Sequence, residues 1–238
     1  MLPTTPLALL GFGFLLGLRH ALEADHLAAV STIVSTRRGA WGASLVGALW
    51  GLGHTAALLG VGLVVVGLHA EIPPRLAAGL ELGVAAMLIG LGLNLLWTLL
   101  RGGTLHHHAH AHGPHLHVHP HVHAPAVVPA DGHHRVASMR RPFLVGLVHG
   151  LAGSAALMLV VAASIPSPAM ALAYVVVFGI GSVGGMTAMS AAVGAPMALV
   201  TARFARAEAV LRAGAALGSV AIGILVAWEI GLRGGAPS

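Results

Sequence analysis

The chain has 238 residues, 57% of them hydrophobic and only 8% charged, with a mean hydropathy of +0.89. A soluble domain of this length could not cover its surface with so few charges, so the chain belongs in a lipid bilayer. The absence of cysteine excludes thiol–disulfide exchange, iron–sulfur clusters and thiolate metal sites. The 12 basic residues are all Arg, and they are read as topology signals rather than as a nucleic-acid surface.

In chain order, six apolar spans are predicted. Span 1 covers 4–34, span 2 42–67 and span 3 75–100; span 4 covers 142–164, span 5 168–199 and span 6 208–232. A bilayer core needs about 20 helical residues, so spans 1 and 5 are long enough to be tilted or broken. Pro196 is expected to end span 5 early. Met1–Leu18 is apolar but has no basic n-region, and is read as part of span 1 rather than as a cleavable signal.

Between the spans lies a segment of different character. Residues 101–141 hold 12 of the 17 His. They include His106, His107, His108, His110, His112, His115, His117, His119, His121 and His123. With several Pro and no core-forming pattern, the segment reads as a disordered loop that binds borderline-soft cations weakly.

Arg placement sets the orientation. Alternating loops put Arg37, Arg38, Arg101, Arg135, Arg140, Arg141, Arg203, Arg206 and Arg212 on one face, and Arg75 and Arg233 on the other. The Arg-rich face is cytoplasmic. The His-rich loop is then expected in the cytoplasm and both termini outside, in a multi-pass protein of the cytoplasmic membrane.

The two halves also resemble each other. Gly17-Leu18-Arg19-His20 aligns with Gly146-Leu147-Val148-His149 at an offset of 129 residues, and Gly51-Leu52-Gly53-His54 with Gly179-Ile180-Gly181-Ser182 at 128. Ala78-Gly79 with Gly83 aligns with Ala213-Gly214 with Gly218 at 135. Three spans per half would make the second half enter from the opposite face, a plan common in secondary transporters. The expected fold class is therefore all-α, a polytopic membrane protein of six transmembrane helices in two inverted three-helix repeats. Its parts are 1–100, the first repeat; 101–141, the His-rich loop; and 142–238, the second repeat. Gly79/Gly83, Gly214/Gly218, Gly47/Gly51 and Gly181/Gly185 are read as small-residue packing faces.

Span 1 carries Arg19, His20, Glu23, Asp25 and His26 within eight residues. Ionisable groups in hydrocarbon cost several kcal/mol and usually face a cavity or a partner. Imidazole nitrogens with carboxylates suit nickel, cobalt, zinc or copper, whereas magnesium and calcium prefer all-oxygen shells. On a straight helix His20, Glu23 and His26 spread over about 120°, and Asp25 falls about 140° from His20. Either the helix breaks near Ala24 or some of these groups only support the ligands. Arg19, one turn from Glu23, can hold that carboxylate in an ion pair. His54 in span 2 and His149, the repeat mate of His20, join the candidate site. Glu81 and Glu229 are weaker candidates.

Arg19-His20-Ala21-Leu22-Glu23-Ala24-Asp25-His26 resembles the signature R-H-A-V-D-A-D-H of the nickel/cobalt transporter family. Leu52-Gly53-His54-Thr55 resembles its second motif, L-G-H-S. The resemblance implies that His20, Asp25, His26 and His54 bind the metal, with Arg19, Glu23 and His149 supporting. The second half departs from the family: its acidic motif has no counterpart, and Ser190 stands where an Asp is usual. The chain resembles the shorter branch grouped with urease-accessory membrane proteins.

The resulting expectation is a secondary transporter taking up nickel or cobalt as cargo, with no resident cofactor and no enzymatic activity. Partners would be the lipid bilayer, the divalent ion and cytoplasmic nickel chaperones of urease or hydrogenase, and no nucleic acid. A divalent ion entering a cell gains about 4.6 kcal/mol per 100 mV, enough for accumulation on the order of a thousandfold without ATP. Efflux by proton antiport is the alternative. An intramembrane metalloenzyme would want H-E-x-x-H, which does not occur.

Overall fold

The structure, a computed structural model, describes residues 5–35, 39–68, 73–101, 105–112, 115–122, 134–151, 161–203 and 205–234. Helix α1 (Pro6–His20) opens with Pro in its first turn, and the Ala8 N–H donates to Thr5 Oγ1 at 3.3 Å. It stops at His20. The chain turns through residues 21–23 and resumes as α2 (Ala24–Val34), bent 55° from α1. Span 1 is therefore two helices and not one tilted rod.

Helix α3 (Ala40–Leu68) follows Gly39, whose φ of 84° lies where side chains are disfavoured. Helix α4 (Pro74–Leu100) starts at the expected proline pair. Helix α5 (His134–Gly150) begins inside the segment assigned to the loop, so the boundary expected at 142 lies too late. Helix α6 (Pro168–Arg203) runs through Pro196, which does not end it. The missing N–H there removes one hydrogen bond near the end of a 36-residue helix whose other turns remain packed. Helix α7 (Ala205–Gly234) closes the described chain.

Among the described residues four helices, α3, α4, α6 and α7, are long and apolar enough to cross a membrane, and the bent α1–α2 pair makes a fifth candidate. The expected fourth span includes residues 152–160, which lie outside the described residues. The His-rich segment, expected to have no regular structure, carries the strand pair β1 (Leu105–His112) and β2 (His115–Val122). The strands are antiparallel, with His106 opposite His121, His108 opposite His119, His110 opposite His117 and His112 opposite His115. Alternating His-x-His on both sides of Gly113-Pro114 supplies the period of two that a hairpin needs. His123 lies outside the described residues.

Helix α6 packs between α1 and α3, and α3 packs between α6 and α5. Helix α4 pairs with α7, and α2 lies chiefly against α7. Glycines set the close approaches. A methyl group added at Gly17 would run into the Phe178 carbonyl, and one at Gly146 into the Trp50 carbonyl. Gly181 meets the Phe14 carbonyl, and Gly53 meets that of Phe143. Gly51 abuts Val183 as Gly179 abuts Thr55. Each contact has a partner displaced by the offsets 129 and 128.

The same pairing holds for α4 and α7, at a different offset from the one expected. Gly92 meets the Ala216 carbonyl and Gly223 the Ala85 carbonyl, which are related by 131 residues and not 135. Gly79, Gly83, Gly214 and Gly218, the basis of the expected alignment, have nothing within 4 Å of an added Cβ. Among the described residues they are not packing faces. Gly47/Gly51 and Gly181/Gly185 are: each would clash with a neighbouring helix.

Candidate metal centre

The break after α1 builds the site. Leu22 N–H donates to Arg19 O at 2.9 Å and Glu23 N–H to His20 O at 3.1 Å, tightening the last turn. Glu23, extended at φ −64° and ψ 150°, is the N-cap of α2, but its carboxylate does not cap. It turns back instead, Oε2 lying 3.1 Å from His20 Nδ1. The expected Arg19–Glu23 ion pair does not form: among the described residues Arg19 makes no ion pair, and it is exposed. Asp25, in the first turn of α2, accepts from the His26 N–H at 2.9 Å through Oδ1. A carboxylate there also complements the helix dipole.

The 55° bend removes the angular spread of a straight helix and brings His20 and His26 together, ring centroids 4.5 Å apart. His54 enters from the middle of α3, its Nε2 only 3.0 Å from His20 Nε2. His149 enters from the last turn of α5, with its ring 4.2 Å from that of His26. His26, His54 and His149 are fully buried and His20 nearly so. The crossing of α3 and α5 makes this possible. Gly53 and Gly146 each lie on the other helix's backbone, so the helices that bear His54 and His149 approach without intervening side chains.

Two carboxylates orient the rings. Asp25 Oδ1 lies 3.0 Å from His26 Nδ1, and Oδ2 lies 3.0 Å from His149 Nε2. With Glu23 on His20 Nδ1, three of the imidazoles have one nitrogen held by a carboxylate, the usual support of a metal-ligating histidine. His26 Nε2, His54 Nδ1 and His149 Nδ1 are buried and have no hydrogen-bond partner among the described residues. Leaving such atoms unpaired costs about 1–3 kcal/mol each, which a bound ion would offset.

The spacing suits a metal. Bonds of about 2.0–2.1 Å put two ligand nitrogens roughly 2.9 Å apart at a right angle and roughly 3.4 Å apart at the tetrahedral angle. The 3.0 Å between His20 and His54 falls within that range. Among the described residues two three-residue groups have ligand atoms within 4.8 Å of one another: His20, His26 and His54, and Asp25, His26 and His149.

All four residues read as ligands from the sequence, and two of the three supporting ones, therefore meet in one cluster; Arg19 does not. Glu81 is half-buried on α4 and Glu229 exposed on α7, and neither joins it. Sequence reasoning missed the walls. Trp50 stacks near His26 and His149 at 5.4 and 5.5 Å, and Phe178 near His20 at 5.4 Å. The signal was present, since Trp50 and Phe178 stand 128 residues apart on the repeat alignment. Met186 and Met189 pack in the apolar core.

Membrane-length helices around a buried imidazole–carboxylate cluster define a multi-pass membrane protein with a donor set that could hold a metal ion. Over 193 residues, 81% of this chain and 79% of the relative, the sequence is 31% identical to the urease accessory protein UreH of Bacillus sp. (strain TB-90). The chain belongs to the UreH family. No family model and no solved structure matches it.

Proposed function

We propose that the protein is a secondary transporter that takes up a divalent transition metal, nickel first and cobalt second, across the cytoplasmic membrane. One observation carries the reading: four buried imidazoles from α1, α2, α3 and α5 converge inside a membrane bundle, three with an unpartnered nitrogen. Nothing in helix packing needs that arrangement, and borderline cations do. The family's urease-accessory relative and the resemblance of the span 1 motif to nickel carriers both agree with this cargo.

In this reading the chain has six spans in two inverted repeats, with the site near the midplane where the halves meet. The paired contacts Gly17–Phe178 and Gly146–Trp50, and Gly53–Phe143 and Gly181–Phe14, support it. Both termini face outward, the His-rich segment is cytoplasmic, and the ion leaves toward cytoplasmic nickel chaperones. The membrane potential supplies the drive for inward movement.

Radioactive nickel accumulation by whole cells with and without the gene tests the reading. Added accumulation supports uptake. Depletion supports efflux by proton antiport, in which the His-rich segment would gather surplus ion. No change at limiting nickel would remove transport altogether and return an intramembrane metal-dependent enzyme to consideration.

A further inference from the structure

The close backbone approaches divide the helices into two groups. Gly17 meets the Phe178 carbonyl, Gly181 that of Phe14, Gly53 that of Phe143 and Gly146 that of Trp50, which ties α1, α3, α5 and α6 together. Gly92 on Ala216 and Gly223 on Ala85 tie α4 to α7. Hydrogen bonds follow the same division. Thr55 Oγ1 donates to the Gly179 carbonyl at 3.2 Å in the first group, and Ser219 Oγ to that of Leu88 at 2.8 Å in the second. Helix α2 belongs with the second group. Its Thr32 hydroxyl donates to the Ala215 carbonyl at 3.4 Å, and the Ser35 carbonyl at its end accepts from Arg212, which Glu208 holds at 2.7 Å.

Between the groups no described glycine approaches a backbone. Gly194 of α6 comes close to α2, but against the Val34 side chain. Apolar side chains fill much of the boundary, Val30 and Val34 of α2 sharing a core with Val46 and Trp50 of α3. A cavity of about 140 Å³ also lies there, lined by Thr32, Leu91, Asn94 and Thr98 on one side and by Arg141 and Val145 on the other. Helices seated backbone on backbone resist sliding, whereas side-chain contacts can repack. Two described joints connect α2 with the first group: the bend at 21–23, and Gly39 at φ 84°.

The metal donors fall on both sides of this boundary. His20, His54 and His149 stand on α1, α3 and α5 of the first group, and His26, with Asp25, on α2 of the second. Asp25 reaches across to His149 at 3.0 Å. His20, His26 and His54 offer ligand atoms within 4.8 Å of one another, so an ion held by these three spans the boundary.

We infer that α2, α4 and α7 form one unit that moves against a unit of α1, α3, α5 and α6, pivoting at residues 21–23 and Gly39, and that the ion draws the units together by bridging His26 to His20 and His54. An ion gains all three imidazoles only in the closed arrangement, and that difference in affinity shifts the equilibrium toward it. The units cut across the two halves of the chain, since each takes helices from both. In the transport reading above, on which this rests, opening of the boundary releases the ion.

The chain has no cysteine, so cysteine pairs report without background. Two pairs cross the boundary inside one half of the chain: Leu7→Cys with Leu76→Cys, and Leu144→Cys with Val210→Cys. Two pairs stay inside one unit but join the halves: Leu7→Cys with Val176→Cys, and Leu100→Cys with Val210→Cys. All six side chains are exposed. Each full-length variant is reacted in detergent with bifunctional maleimides of graded length, with and without nickel, and then reconstituted for flux. The shortest reagent that links the pair should change with nickel for the two cross-boundary pairs and stay the same for the other two. The change should vanish in a His26→Ala background, or in His26→Asn if the first aggregates. Linking a cross-boundary pair should abolish nickel flux, and linking a pair inside one unit should leave it normal.

The opposite pattern, with shifts only in the pairs that join the halves, would overturn this division. So would no shift in any pair at saturating nickel, a shift that survives loss of His26, or normal flux through a linked cross-boundary pair. If the shifts appear as expected but wild type carries no nickel, the two units stand and the transport reading fails.

Discussion

Asp25 joins the two halves of the chain through His149: its Oδ2 lies 3.0 Å from Nε2 of a residue 124 positions away. Its other oxygen holds His26. The Asp25 side chain is 17% exposed, whereas Glu23, on His20 alone, is 44% exposed. Asp25→Asn should therefore reduce nickel flux by about 10–100-fold, and Glu23→Gln by only a few-fold. Initial rates in proteoliposomes decide the order. The reverse order would make Glu23 the direct ligand.

His20→Ala and His26→Ala should each abolish transport while the protein still reaches the membrane. Both rings are buried, His26 against Trp50 and His20 against Phe178. Membrane fractionation beside the flux assay separates lost chemistry from lost protein. Flux unchanged in both variants would remove the site assignment.

Glycine substitutions should sort by what an added methyl meets. Gly53→Ala and Gly146→Ala push against the backbones of Phe143 and Trp50, and should cost about 1–3 kcal/mol as overpacking does. They should also lower nickel affinity by displacing His54 and His149. Gly79→Ala and Gly214→Ala meet nothing within 4 Å, and should be neutral or gain up to about 1 kcal/mol from helix propensity. Thermal unfolding in detergent measures both sets.

Removing residues 105–123 should leave the helical bundle folded and flux at saturating nickel intact. Flux at scarce nickel and the number of ions bound by the purified protein should both fall. Imidazoles suit borderline cations, so the segment should hold several ions, each weakly. If deletion stops transport at every concentration, the segment belongs to the pathway. If neither quantity changes, it is a spacer.

The sequence by itself determined the membrane class, because so few charges cannot cover a soluble surface and apolar runs of span length leave little else. It also located the site in span 1, since five ionisable residues in hydrocarbon demand a partner. It left open how they meet, because residues 21–24 contain neither Gly nor Pro to mark a break. Tertiary structure decided that. Helix α2 lies against α7, where Arg212 Nε–H donates to the Ser35 carbonyl at 3.0 Å and the Thr32 hydroxyl donates to the Ala215 carbonyl at 3.4 Å. With α2 anchored there, α1 and α2 cannot be collinear, and the bend turns a dispersed set of side chains into a cluster. His149 needed the crossing of α3 and α5, which depends on what lies opposite Gly53 and Gly146. The same ambiguity affected the other glycine pairs. Gly47/Gly51 and Gly79/Gly83 have the same spacing, but only the first meets another helix, because a small residue permits close approach and cannot by itself compel it.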